Sequence, residues 1–219
     1  RAAGDLTGVI GTVGVQIGDE RVASSHTTPE SPDLQAIMAR MRDAGCNVVA
    51  MEVSSHALDL ERVWGLSFAV TAFTNLTQDH LDYHKTFDAY FEAKALLFGE
   101  DYPARRVVSI EDEWGRSLAR RCAEAGDEVL TTGFSPEADI HPLGVDYGAT
   151  ATTVQLAVGP AGRTLEITYP LVGRFNVENV MTAFACGMQL GIEPDAIAAA
   201  LADVPPVPGR LQRVGGEGD

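Results

Sequence analysis

Asn47-Val-Val-Ala-Met-Glu-Val-Ser-Ser-His56 is the stretch on which the reading of this chain turns. An apolar run from Asn47 to Val53 passes directly into a small polar turn, and Glu52 stands at the junction. A near-continuous apolar run is what a parallel strand covered on both faces requires. A second such run, Phe68 to Leu76, ends in an acid- and histidine-rich loop, Thr74-Asn-Leu-Thr-Gln-Asp-His-Leu-Asp-Tyr-His84. Ligands of open α/β sheets bind outside the carboxyl ends of strands. Two strand ends that both release polar, metal-capable residues therefore read as one site, and the two strands are expected to be sheet neighbours.

The same rhythm extends in both directions. Leu6 to Ile17 is β-rich and broken by glycine, as a strand entering a hairpin would be. Ser24 to Pro32 is a polar loop. Ser31 is placed to cap a helix with Pro32 at its first position, and that helix should stop at Gly45. Ser54 to Glu61 reads as a short helix. Thr86 caps a helix running to Phe98, with Asp88 in its first turn. Arg106 to Ile110 and Glu128 to Thr132 read as strands around a helix from Glu113 to Ala125. Alternation of this kind implies right-handed βαβ units. Three short antiparallel strands follow, Asp139 to Tyr147, Thr150 to Val158 and Arg163 to Tyr169, with glycines at the turns. Two helices, Val177 to Leu190 and Pro194 to Ala202, come next. The expected class is α/β: a mostly parallel sheet flanked by helices, with a small antiparallel sheet.

The bulk numbers exclude several functions. A net charge of −15 over 219 residues argues against nucleic-acid binding, though not against a small anionic ligand. No apolar run approaches the roughly 20 residues that span a bilayer. Cys46, Cys122 and Cys186 are far apart, odd in number and set among apolar residues, so buried free thiols and a reducing, cytoplasmic setting are expected.

Three candidates carry chemistry. A carboxylate at a strand end, such as Glu52, is often only a solvated residue or a cap. His80, Asp82 and His84 alternate and would share one face of an extended segment. Oxygen ligands with one histidine suit magnesium better than zinc. The chain holds only two lysines. Lys85 lies in a polar loop and reads as a surface charge. Lys94 lies among apolar neighbours in Tyr90-Phe-Glu-Ala-Lys-Ala-Leu-Leu-Phe98, where it either snorkels to solvent or, beside acidic groups and a metal, reacts with carbon dioxide.

Taken together, Thr27-Thr-Pro29, Met51-Glu-Val-Ser-Ser-His-Ala-Leu58, Phe73-Thr-Asn-Leu-Thr-Gln-Asp-His-Leu-Asp-Tyr-His84, Tyr90-Phe-Glu-Ala-Lys94 and Gly173-Arg-Phe-Asn-Val-Glu-Asn179 resemble the central domain of the Mur ligases. The likeness runs from about Gly8 to Arg213 and is greatest to the member that adds the third residue of the peptide. It implies an ATP-dependent ligase of peptidoglycan precursor synthesis that works through an acyl phosphate. Its partners would be a UDP-muramoyl-dipeptide, ATP and an amino acid, and a monomer is expected. The resemblance implies roles for individual residues. Thr27, Thr28, Ser54 and Arg62 would hold the UDP-muramoyl-dipeptide. Glu52 and His80 would bind magnesium. Lys94 would be a carbamylated lysine that helps place a second magnesium. Asn176 and Asn179 would lie near the adenine of ATP.

One family feature is missing. The family's phosphate loop ends in Gly-Lys-Thr, and neither lysine here follows a glycine. Gly8-Val-Ile-Gly-Thr-Val-Gly14 is glycine-rich but lacks the Gly-Lys-Thr ending whose lysine and hydroxyl cradle phosphates and magnesium. Residues 1–213 are therefore expected to be a central domain truncated at its N-terminus, with 214–219 a linker toward a missing domain, and the fragment alone is expected to be inactive. A sister ligase such as a folylpolyglutamate synthase is opposed by Thr27-Thr28 and Ser54-Ser55. A non-catalytic binding module is the reading from a different class.

Overall fold

The computed structural model of the chain describes residues 5–24, 26–77, 81–159 and 162–205. The chain divides into two compact units. Arg1–Thr71 and Leu76–Arg105 form the first, and Ala72–Asn75 and Arg106–Asp219 the second. The class is α/β, as the alternation implied.

The first unit is built on a four-stranded sheet. Its strands are β1 (Thr7–Gly11), β2 (Gly14–Ile17), β3 (Glu20–Val22) and β4 (Val48–Met51), in the order β3-β2-β1-β4. β1 and β2 are an antiparallel hairpin, with Gly11 opposite Gly14 across the turn. β1 and β4 run parallel. Helix α1 (Ser31–Asp43) links β3 to β4 and buries Leu34 and Met41. It ends where Gly45 takes φ +84°, a conformation only glycine adopts without strain. After β4 come α2 (Ser55–Asp59), the helical turn α3 (Leu81–His84) and α4 (Phe87–Ala95), which tightens into a 3₁₀ turn at Leu96–Phe98. Thr86 caps α4 as expected, its hydroxyl accepting from Ala89 N–H at 3.1 Å.

The second unit carries a six-stranded sheet in the order β10-β9-β8-β7-β6-β5. Its strands are β5 (Val70–Phe73), β6 (Arg105–Ser109), β7 (Val129–Thr132), β8 (Ile140–Tyr147), β9 (Thr152–Val158) and β10 (Arg163–Tyr169). β6, β7 and β8 run parallel, while β8, β9 and β10 form an antiparallel meander. Helices α5 (Glu113–Glu124), α6 (Arg174–Gln189) and α7 (Pro194–Ala202) complete the unit. α6 buries Val177, Val180, Met181, Phe184 and Ala185. That apolar stripe recurs at helical spacing and explains why the segment folds as one long helix.

Several expectations change. The meander continues the parallel strands in one sheet, and the separate small sheet is instead the N-terminal mixed one. β4 and β5 belong to different sheets, so they are not ladder neighbours. β4 is not covered on both faces either: Val48 and Ala50 are exposed, while Val49 and Met51 are half-buried. Composition alone marks an apolar run, but which of two alternating faces is covered depends on what packs there. Ser31 is the first helical residue of α1 rather than its cap, a place taken by Glu30. The Ser31 hydroxyl is drawn instead to the Arg62 carbonyl, to which it donates at 2.9 Å. Cys122 is buried, but Cys46 and Cys186 are half-buried, and all three are free thiols. Among the described residues no helix is long and apolar enough to cross a membrane.

Candidate functional site

The carboxyl end of β4 gathers its neighbours around Glu52. The Glu52 N–H donates to the Ile10 carbonyl at 2.9 Å, which extends the β1–β4 ladder by one residue. Its exposed side chain turns toward the tip of the β1–β2 hairpin. There Oε2 accepts from Thr12 N–H at 2.9 Å and from the Thr12 hydroxyl at 2.7 Å. The approach depends on Gly11, because a Cβ at that position would lie 3.0 Å from the Glu52 carboxyl carbon. The glycine-rich stretch is thus a hairpin that cradles a carboxylate, not a loop that cradles phosphate. Thr12 was not singled out from the sequence. Its only signal was its place inside that glycine-rich run, 40 residues from Glu52.

Thr27 and Thr28 reach the same turn. The Thr27 and Thr12 hydroxyls are 3.1 Å apart. Thr28 is buried, and its hydroxyl donates to the Glu52 carbonyl at 2.8 Å and accepts from Ser54 N–H at 3.0 Å. It joins the two ends of the strand-to-helix turn. Ser54 then caps α2, its Oγ accepting from Ala57 N–H at 3.2 Å. Arg62 braces the threonine loop from behind. It donates to the Thr28 carbonyl at 3.1 Å and pairs with Glu30 at 2.6 Å, and its guanidinium is mostly buried. Its Nε is buried with no partner among the described residues. A cleft of about 260 Å³ lies beside this loop, bordered by His26 and Pro29 on either side of the threonines and by Asp33 and Arg40 of α1.

Lys94 sits in the last turn of α4, half-buried, with Nζ 5.4 Å from the centre of the Tyr90 ring. That is within range of a cation–π contact. Tyr90 stacks on His84, whose Nε2 is 2.8 Å from Ser55 Oγ. The alternation does not place Asp82 and His84 on one extended face, because Leu81–His84 is a helical turn. His80 itself lies outside the described residues, as does the shared magnesium site proposed for it. Lys85 is exposed, as expected, and donates to the Asp82 carbonyl. Tyr83 donates to Asp59 at 2.5 Å, and that bond chiefly holds its phenol above the ordinary value.

Among the described residues no three His, Cys, Asp or Glu side chains converge on a common point. One hard carboxylate beside hydroxyls, with Gly11 leaving space, still suits magnesium, which keeps several waters and binds through one or two carboxylates. The residues present fit such an ion held by Glu52, waters and ligand oxygens.

Asn176 and Asn179 lie in the second unit, three residues apart on the first two turns of α6 and so on one face of the helix. Asn176 Nδ2 donates to the Val172 carbonyl at 2.8 Å, and Asn179 is exposed. Beside them is a cluster the sequence did not reveal. Arg174 stacks 3.6 Å over the Phe134 ring and pairs with Glu111 at 2.6 Å and Glu178 at 3.4 Å. Burial first, and then the Glu111 charge, push the Glu178 carboxyl up, against the opposing pull of Arg174. A carboxyl raised by folding contributes stability that is full below its unfolded pKa and is lost as pH rises through the folded one. Glu178→Gln is therefore expected to raise the melting temperature near pH 7, with the gain shrinking toward about pH 4, where the native side chain is protonated. A fall in melting temperature near pH 7 that shrinks toward about pH 4 would show that the Arg174 pair dominates instead.

The model of the family described as the Mur ligase middle domain matches residues 1–187. A Corynebacterium glutamicum protein named UDP-N-acetylmuramoyl-L-alanyl-D-glutamate--2,6-diaminopimelate ligase is 42% identical over 215 residues, covering 97% of this chain and 41% of that protein. A Bacillus velezensis protein of the same name is 42% identical over 221 residues, covering 98% of this chain and 44% of its own length. A solved structure of a ligase with that name superposes with a TM-score of 0.87 at 28% identity, covering 99% of this chain and 44% of that one. MurF from Acinetobacter baumannii shares the fold, with a TM-score of 0.73 at 17% identity, over 99% of this chain and 44% of that one. The chain spans about two fifths of the length of the curated relatives it matches.

Proposed function

We propose that this chain, which belongs to the Mur ligase family as its middle domain, forms the catalytic centre of an ATP-dependent ligase of peptidoglycan precursor synthesis. The observation that carries the reading is the strand-end cluster: the Glu52 carboxylate, held by Thr12, shares one turn with Thr27, Thr28 and Ser54. The substrate would be a UDP-muramoyl-dipeptide, and the relatives' name supports 2,6-diaminopimelate as the added amino acid. Thr27 and Ser54 would contact the UDP-muramoyl-dipeptide. Thr28 and Arg62 would act on it chiefly through the loop they brace. Asn176 and Asn179 would lie near the adenine of ATP. The reaction belongs to the bacterial cytoplasm, where the nucleotide-linked precursor is made.

The chemistry is a carboxylate activation followed by acyl transfer. The free carboxylate of the dipeptide attacks the γ-phosphorus of ATP, an O–P bond forms, and ADP leaves. The amine of the incoming amino acid then attacks the acyl carbon, the C–O bond to phosphate breaks, and the amine loses a proton. Magnesium, one ion held by Glu52 and His80 and a second placed with the help of a Lys94 carbamate, would supply neutralisation of charge on the phosphates. The carbamate would form as the Lys94 ammonium gives up one proton, the free Nζ adds to carbon dioxide and a second proton leaves, which turns a cation into an anion at the tip of Lys94. Glu52 would meanwhile keep its orientation through Thr12, at no reorganisation cost during the reaction.

The test uses the full-length protein that carries this sequence. ADP should appear only when the UDP-muramoyl-dipeptide is present, and hydroxylamine should trap the acyl phosphate before the amino acid is added. ADP release that ignores the dipeptide would refute the reading.

A polypeptide of these 219 residues alone is expected to bind ATP no better than millimolar and to be inactive. Neither lysine follows a glycine, and the glycine-rich stretch is a hairpin. Contacts to the adenine from Asn176 and Asn179 are too few to offset the freedom lost on binding. Titration calorimetry with ATP and magnesium measures this, and micromolar affinity would place the nucleotide at another loop.

A further inference from the structure

We propose that His84, which takes no part in the chemistry above, is a positioning residue that holds the turn after Glu52 in register with the helix that carries Lys94. His84 is 9% exposed and Ser55 1% exposed, and their side chains meet at 2.8 Å across 29 residues of sequence. Aromatic groups complete the seat of the imidazole. Tyr90 stacks on it with centroids 5.2 Å apart at 17°, Tyr83 meets it edge-on at 4.8 Å, and the His56 ring lies 5.5 Å away. Tyr90 also carries Lys94 Nζ over its ring at 5.4 Å. One short series of contacts thus runs from Ser55 through His84 and Tyr90 to Lys94. At its near end, Ser54 caps the same helix and bonds through its N–H to the buried Thr28.

The physical content lies in direction. A buried hydrogen bond has a narrow geometry, and losing one partner leaves the other unsatisfied. A stacked ring fixes the plane in which the imidazole nitrogen points. Together they set the separation between the strand-end turn and α4. Reacting groups displaced by about 1 Å lose on the order of a hundredfold in rate. The inference rests on the reading that Glu52 and Lys94 serve the reaction.

Ser55→Ala, His84→Leu and His84→Asn in the full-length enzyme test it, with Glu52→Ala run in parallel. Ser55→Ala and His84→Leu are expected to lower kcat by about 10–100-fold while KM for ATP moves less than about threefold. His84→Asn, whose amide offers Ser55 a partner, should recover part of the loss. A second readout needs no activity: amide hydrogen exchange over Ser54–Leu58 should quicken by about tenfold in Ser55→Ala. If His84→Leu fails to fold, Ser55→Ala carries the test, since it removes a single hydroxyl. Wild-type kcat in Ser55→Ala beside an inactive Glu52→Ala would overturn the role of His84 alone. Wild-type turnover in Glu52→Ala would overturn the underlying site. A fall in melting temperature with unchanged kcat per folded molecule and unchanged KM would make His84 merely structural and refute the proposal.

Discussion

Replacing Glu52 with alanine in the active enzyme is expected to lower turnover by about 10²–10³-fold while changing stability by less than about 1 kcal/mol. The asymmetry follows from where the residue sits. Glu52 is exposed at the end of β4, and its side-chain bonds go to Thr12 at a hairpin tip, where water can replace them. Its backbone N–H, which extends the ladder to Ile10, is untouched by the substitution. In the proposed reaction water would be no such substitute, because a carboxylate aimed by a hairpin would act as a fixed charge in the site. Glu52→Gln separates the two contributions. The amide oxygen can still accept from Thr12, so the hairpin stays in place, but the charge is gone and turnover should remain low. Parallel losses of activity and melting temperature in both variants would mean that Glu52 is a structural residue, and the site would have to be sought elsewhere.

Lys94→Ala is expected to cost at least about 10²-fold in turnover, with partial recovery when short carboxylic acids are added. An added carboxylate would stand in for the carbamate lost with the amine. Lys94→Arg sharpens the test. Arginine keeps a cation that can lie over the Tyr90 ring, as Lys94 does now, but a guanidinium forms no carbamate under these conditions. If the cation over Tyr90 is all that matters, Lys94→Arg will be close to fully active and acids will do nothing. If the carbamate matters, Lys94→Arg will be as impaired as Lys94→Ala. Full activity in Lys94→Arg would sink the carbamate.

Much of the candidate site was legible before any coordinates, because its residues cluster in short motifs at strand ends. Glu52 stood out by its place at a strand end, while Thr27, Thr28 and Ser54 were singled out by the motifs that resemble the Mur ligases. The residues that were missed act across long gaps. Thr12 meets Glu52 over 40 residues. His84 was noticed only as part of an alternating set of metal-capable residues, and its partner, Ser55, lies 29 positions away. Arg174, Glu111 and Glu178 form a cluster spanning 63 residues between its furthest bonded members. Spacing along a chain reports local periodicity, and of these contacts only Arg174–Glu178, four residues apart on α6, is local.

The sequence by itself determined most of the succession of elements, β3 and the helical turn α3 excepted, and many of their ends. α7 begins at Pro194, α1 stops at Gly45 and Thr86 caps α4, because caps, proline and left-handed glycine act within one turn of backbone. Only the tertiary structure decided which strands share a sheet, which face of β4 is open, and how the hydroxyls are spent. The family resemblance makes Thr28 a ligand-binding hydroxyl, yet it is buried and joins the Glu52 carbonyl to the Ser54 amide. Ser31 reads as a helix cap, yet it serves the Arg62 carbonyl 31 residues on. A hydroxyl has one donor and room for acceptors, and it goes to whichever buried backbone group would otherwise lack a partner. That demand arises only once distant segments have been packed together.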